Sequence, residues 1–142
     1  MVRPTIPFNR LSIQGNELSY VSEASATGHL AARGPFTDKV VELLQEELSG
    51  SHVLLTTSCT SALELSAMLL NLTPQDNVVI PSFTYVTTAL AFARTGAELR
   101  FADIDPTTLC IDPESVSNLV DSSTRAIVPV HYAGMSADLD GL

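Results

Sequence analysis

Positive charge is what this sequence has least of. Across 142 residues, lysine and arginine together number 7 against 16 aspartates and glutamates, a formal charge of −9 at pH 7. Such a balance cannot neutralise a run of backbone phosphates, which excludes nucleic acid as a partner and leaves room only for a localised anion site. Lysine is nearly absent, with Lys39 the single example, and tryptophan is missing. The two cysteines, Cys59 and Cys110, are too few for a disulfide framework and point to a reducing, cytoplasmic setting. Long apolar runs are lacking too. The longest, around residues 62–72, contains Glu64 and Ser66 and falls short of the ~20 residues a membrane helix requires. Residues 1–10 carry no apolar core of a secretory signal. Neither a membrane nor a metal is expected as a partner.

What is present suits one buried core. Hydrophobic residues make up 45% of the chain, mean hydropathy is +0.24, and no composition shift marks a second domain, so the sequence reads as one domain or part of one. Helical periodicity predicts helices over 16–26 and 36–48, the second with Phe36, Val40, Leu43, Leu44 and Leu48 on one face. Between them the glycines and Pro35 of residues 27–35 predict an irregular loop. A short strand is expected at 52–56, then a hydroxyl-rich turn at 58–61 and a helix to Leu72, apolar nearly all round and therefore expected to be covered.

The unit then repeats. Residues 78–81 predict a strand, 82–85 a second hydroxyl-rich turn, and 86–94 a helix stopped by Gly96. A third strand is expected at 98–104, broken by Asp105 and Pro106, and Asp112 with Pro113 offers an N-cap for a helix carrying Val116, Leu119 and Val120. A fourth strand at 125–130 leads into His131, Tyr132, Ala133 and Gly134. Strands and helices alternating at this spacing define an α/β fold with a mostly parallel sheet, helices on both faces and right-handed crossovers.

In such a sheet the ligand lies at the carboxyl ends of the strands, and each hydroxyl-rich turn opens a helix whose N-terminus favours phosphate. The turns at 58–61 and 82–85 therefore read as a cradle for a phosphorylated cofactor. Two other readings stay open at this point. Cys59 heads a helix, where thiol pKa values fall, so Cys59 with His131 could form the nucleophile and base of a hydrolase, though nothing supplies the orienting group. The chain could also be a non-catalytic phosphate-binding or interaction module.

Five runs carry a resemblance: Ile-Pro-Phe-Asn at 6–9, the glycine loop around 28–34, Ser-Cys-Thr-Ser-Ala at 58–62, Pro-Ser-Phe-Thr-Tyr at 81–85 and Val-Pro-Val-His-Tyr-Ala-Gly at 128–134. In order and spacing they resemble the N-terminal part of the DegT-type sugar-nucleotide aminotransferases, above all those acting on dTDP-4-oxo-6-deoxyglucose. The resemblance implies the fold type I large domain of pyridoxal 5′-phosphate (PLP) enzymes, incomplete here. Residues 1–35 would be an arm, helix and loop, and 36–142 the first part of the cofactor-binding domain. It further implies homodimers that move an amino group from glutamate to a keto sugar carried on a nucleotide. Thr60 and Ser61 would hold the cofactor phosphate and Tyr85 would stack on the pyridine ring. His131 and Arg33 are candidates for touching substrate, Arg33 through a nucleotide phosphate. Family members also use a later aspartate on the ring nitrogen and a later lysine bound to the cofactor, and Leu142 comes before both. Asp138 and Asp140 fall too early, and Lys39 lies in a surface helix. The expectation is a stretch without catalytic residues of its own, inactive alone, with apolar helix faces and strand edges exposed.

Overall fold

The computed structural model describes residues 6–7, 9–29 and 31–142. Residues 1–5, Phe8 of the 6–9 run and Leu30 of the glycine loop lie outside the described residues. The chain divides into two compact units, residues 1–55 and 56–142.

The first unit is helical, with α1 over Glu17–Ala26 and α2 over Pro35–Glu47. Pro35 opens α2, where its missing N–H costs nothing, and Gly34 supplies the extended N-cap. Neither helix buries a residue, so the apolar face expected on α2 is not enclosed within this unit: Val40, Leu43 and Leu48 are exposed. Tyr20 packs on Phe36 with ring centroids 5.4 Å apart. Lys39 sits 4.8 Å above the Phe36 ring and 4.0 Å from Glu23.

The second unit holds the sheet. Its elements in order are α3 (Cys59–Leu69), β1 (Asn77–Pro81), α4 (Val86–Ala93), β2 (Glu98–Ala102), α5 (Pro113–Leu119), β3 (Thr124–Ile127) and a single 3₁₀ turn at Tyr132–Gly134. The strands lie in the order β2-β1-β3 and both pairings are parallel, as the alternation of strands and helices predicts. β1 is buried along its whole length, and its side chains alternate between two cores. Val78 and Ile80 meet Ala67, Ala91, Phe92 and Ala97 on the α3 and α4 side, while Val79 meets Ala102, Cys110, Ile111, Val116 and Ala137 on the α5 side. A continuous apolar run on β1 is the consequence of helices covering both faces.

Several boundaries differ from expectation. Residues 52–56 form no strand: a strand needs a ladder partner, none pairs with them among the described residues, and Leu54 is 71% exposed. α3 ends at Leu69 rather than Leu72, because Asn71 turns into the left-handed region at φ 49. Nor is α3 covered all round, since only Ala67 is buried while Met68 and Leu69 are exposed. β2 stops at Ala102, and the chain folds back so that Ile104 bridges Ile111 and the Asp105 carboxylate accepts the N–H groups of Thr107 and Thr108, both at 2.8 Å. β3 ends at Ile127. The Val128 N–H still reaches the Val79 carbonyl at 2.9 Å, but Pro129 has no N–H with which to continue. The register slips once, between Asn77 and Val78, leaving Arg125 as the bulged residue.

Candidate phosphate-cofactor site

The first hydroxyl-rich turn is a helix cap. Ser58 adopts an extended conformation, and its Oγ accepts the Ser61 N–H at 3.1 Å while its carbonyl accepts the Ala62 N–H at 3.1 Å. Thr56 steadies the turn by donating its hydroxyl to the Ser58 carbonyl at 2.8 Å. These bonds use the donors of Ser61 and Ala62. The N–H groups of Cys59 and Thr60 find no acceptor among the described residues, as at any helix start lacking a ligand or water. The Ser61 hydroxyl lies 3.0 Å from that of Ser58.

The second turn follows β1 and starts α4. Tyr85 is its N-cap residue, extended at ψ 140, with no side-chain cap bond and 74% exposure. Thr84 and Thr88 hydroxyls lie 3.0 Å apart and close the turn around it. One further bond joins the two helix starts: the Thr60 hydroxyl donates to Thr87 Oγ1 at 3.3 Å. The N-termini of α3 and α4 are therefore neighbours at the carboxyl end of β1, and neither helix has an acidic residue in its first turn. Two open N–H groups, two hydroxyls and two helix dipoles free of nearby carboxylate fit a phosphate group, which each dipole favours by roughly 0.3–1 kcal/mol.

His131 follows β3 on the same edge. It is exposed, and its Nδ1 accepts the Ala137 N–H at 3.0 Å, which places the ring proton on Nε2. This bond closes the turn in which Ala133 and Gly134 both take positive φ, and Tyr132 from that turn packs on Phe83 with centroids 4.9 Å apart. No hydrogen bond joins His131 to Cys59 among the described residues, so the hydrolase pair is not assembled here. Arg33 lies in the first unit, exposed, at φ 65. Asp138 accepts the Gly141 N–H at 3.1 Å. Thus Thr60, Ser61 and Tyr85 are brought onto adjoining helix starts. Thr87 and the Phe83–Tyr132 pair went unnoticed in the sequence, although two successive threonines in a helix's first turn are a departure from helix-favouring composition. Among the described residues no His, Cys, Asp and Glu cluster could hold a metal, and no helix is long and apolar enough to cross a membrane.

Adjoining helix starts, open to an anion at the carboxyl edge of a doubly covered parallel sheet, define an α/β protein of the phosphate-cofactor-binding class. The chain belongs to the DegT/DnrJ/EryC1/StrS aminotransferase family, whose profile matches residues 11–142. Among solved structures it is similar to 3-amino-5-hydroxybenzoic acid synthase, at 30% identity and a TM-score of 0.83 over 92% of this chain and 34% of that one. NtdA of Bacillus subtilis, solved with bound pyridoxamine phosphate (PMP), is 30% identical with a TM-score of 0.78 over 87% of this chain and 28% of that one. Spr1654 of Streptococcus pneumoniae, a protein assigned as a sugar aminotransferase and solved in PLP and PMP forms, is 28% identical with a TM-score of 0.86 over 96% of this chain and 34% of that one. The chain spans about a third of the length of these relatives. It carries part of the PLP-dependent aminotransferase fold, and PLP is the cofactor its relatives bind.

Proposed function

We propose that these residues form the phosphate-holding part of a PLP-dependent sugar-nucleotide aminotransferase, with dTDP-4-oxo-6-deoxyglucose as amino acceptor and glutamate as donor. The protein we propose is a dTDP-4-amino-4,6-dideoxygalactose transaminase, working as a cytoplasmic homodimer. Residues 1–35 are its arm, helix and loop, and residues 36–142 the first part of its large domain. The observation that carries the reading is the pair of adjoining helix starts, with the Cys59 and Thr60 N–H groups finding no acceptor among the described residues and the Thr60 and Ser61 hydroxyls beside them.

Thr60 and Ser61 bind the phosphate and thereby fix one end of the cofactor, and the exposed Tyr85 ring lies against the flat face of the pyridine. His131 touches substrate, and Arg33, in the other unit, is a separate candidate for meeting a nucleotide phosphate. When bound, the cofactor supplies an electron sink for moving an amino group. The reaction also needs a lysine to hold the cofactor and move the proton, and Lys39 is engaged with Glu23 and Phe36 in α2. These 142 residues therefore bind PLP without transferring amino groups on their own.

The test is a visible absorption titration of the chain with PLP, followed by borohydride and mass spectrometry. Expected is saturable binding that inorganic phosphate displaces, no covalent adduct on Lys39, and a loss of about 10-fold or more in affinity in the Thr60→Ala, Ser61→Ala double variant. A reduced adduct on Lys39, or wild-type affinity in the double variant, would overturn the reading.

A further inference from the structure

We propose that Thr87 is a positioning residue for Thr60, holding its hydroxyl ready for the phosphate and strengthening it as a donor once the phosphate arrives. This rests on the reading of Thr60 as a phosphate-binding residue.

In the protein as it stands, Thr60 gives its only hydroxyl proton to Thr87 Oγ1. A phosphate group accepts hydrogen bonds and does not donate at its charged oxygens, so Thr60 must turn that proton toward the anion to bind it. Rotation about Cβ–Oγ carries the proton there. The oxygen of Thr60 is then without a donor. Thr87 has a hydroxyl proton of its own; across the 3.3 Å contact only Thr60 is placed as donor, and a small turn of the Thr87 side chain brings its proton back onto Thr60 Oγ1. The chain Thr87 O–H to Thr60 O–H to phosphate polarises in one direction, and each bond strengthens the next.

The same contact holds the side chain still. Threonine in a helix divides its χ1 between two rotamers, because its hydroxyl can also return to a carbonyl one turn back. Ser66 does this with the Ala62 carbonyl at 2.9 Å in the same helix, whereas Thr60 bonds forward across to α4. Thr87 is half-buried on the second residue of α4, next to Thr88, whose hydroxyl already meets Thr84. The two threonines divide the labour: Thr88 closes the turn that presents Tyr85, and Thr87 ties that turn's helix to the start of α3.

The decisive experiment compares the chain with Thr87→Val, which keeps the shape and removes the hydroxyl, and Thr87→Ser, which keeps the hydroxyl. Three-bond couplings at Thr60 without ligand report its rotamer, and an amide-shift titration with inorganic phosphate reports affinity. Expected is one Thr60 rotamer in the wild type and Thr87→Ser, averaging in Thr87→Val, and phosphate affinity about 3- to 10-fold weaker in Thr87→Val alone. An unaveraged Thr60 with unchanged affinity in Thr87→Val would overturn the proposal, as would Thr87→Ser behaving like Thr87→Val. If Thr87→Val fails to fold, Thr87→Ala read against Thr87→Ser decides in its place. Wild-type protein that ignores phosphate while Thr60 stays in one rotamer would count against the binding role of Thr60, and the couplings would still decide whether Thr87 positions it.

Discussion

At the amino end of β1 the polar groups close on one another, whereas at its carboxyl end several are left open. Asn77, fully buried, donates to Asp121 at 3.0 Å and Ser123 at 2.7 Å and accepts from Thr124 at 2.7 Å. Asp121 in turn meets Arg100 at 2.6 Å, and Arg100 also reaches Glu98 and the Leu119 carbonyl. Asp76 accepts from Thr73 and Arg125. No buried side-chain polar atom among the described residues lacks a partner. At the other end the Cys59 and Thr60 N–H groups, the Tyr85 ring and Nε2 of His131 make no such closed set among the described residues. The difference separates polarity that holds strands together from polarity kept for a ligand. A closed set gains its energy on folding, and an open one gains it on binding.

Breaking the closed end should have the largest effect. Asn77→Ala leaves Asp121, Ser123 and Thr124 short of partners in a part-buried site and should cost roughly 2–3 kcal/mol, read from urea unfolding. Phosphate affinity of the molecules still folded should not change. An affinity loss matching the stability loss would show that the two ends are coupled and erase the contrast.

Acid should act on the closed end next. Asp121 is held well below the usual carboxylate range by its bonds from Ser123 and Arg100, and Asp76 is lowered by Thr73 and then Arg125. Folded-state values below the unfolded ones mean that the folded state binds fewer protons. Their contribution is present above the unfolded value of about 3.9 and is lost as pH falls below it through the folded values. The unfolding free energy should therefore drop below about pH 4, and Asp121→Asn should flatten that slope. An unchanged slope would locate the acid sensitivity elsewhere.

The smallest effect on stability is expected at the open end. Tyr85→Ala removes an exposed ring and should shift stability by no more than about 0.5 kcal/mol. It should still weaken PLP binding several-fold and leave inorganic phosphate untouched, because phosphate has no ring to stack on. Equal losses for the two ligands would mean that Tyr85 shapes the phosphate site instead.

Much of the sheet unit was readable beforehand. The strand at 78–81, the hydroxyl-rich helix start at 58–61, the N-cap at Asp112, the stop at Gly96 and the parallel order all follow from short-range rules of turn chemistry and periodicity. The strand expected at 52–56 shows where those rules end, since an apolar run becomes a strand only against a partner. So does α3, whose all-round apolar pattern predicts cover that this unit supplies on one side alone. The network around Asn77 was illegible for a related reason: its members lie more than 40 residues apart, and nothing local marks them as neighbours.

By itself, then, the sequence determined the local elements, the hydroxyl-rich helix starts with their affinity for an anion, and the scarcity of lysine that sets Lys39 apart. Those properties depend on backbone rules acting over a few residues. Only the tertiary structure decided that Thr60 meets Thr87, that His131 spends Nδ1 on Ala137, and that one end of β1 is closed while the other is open. Each of these is a contact between side chains or turns whose meeting depends on how the helices and strands pack, which no local pattern encodes.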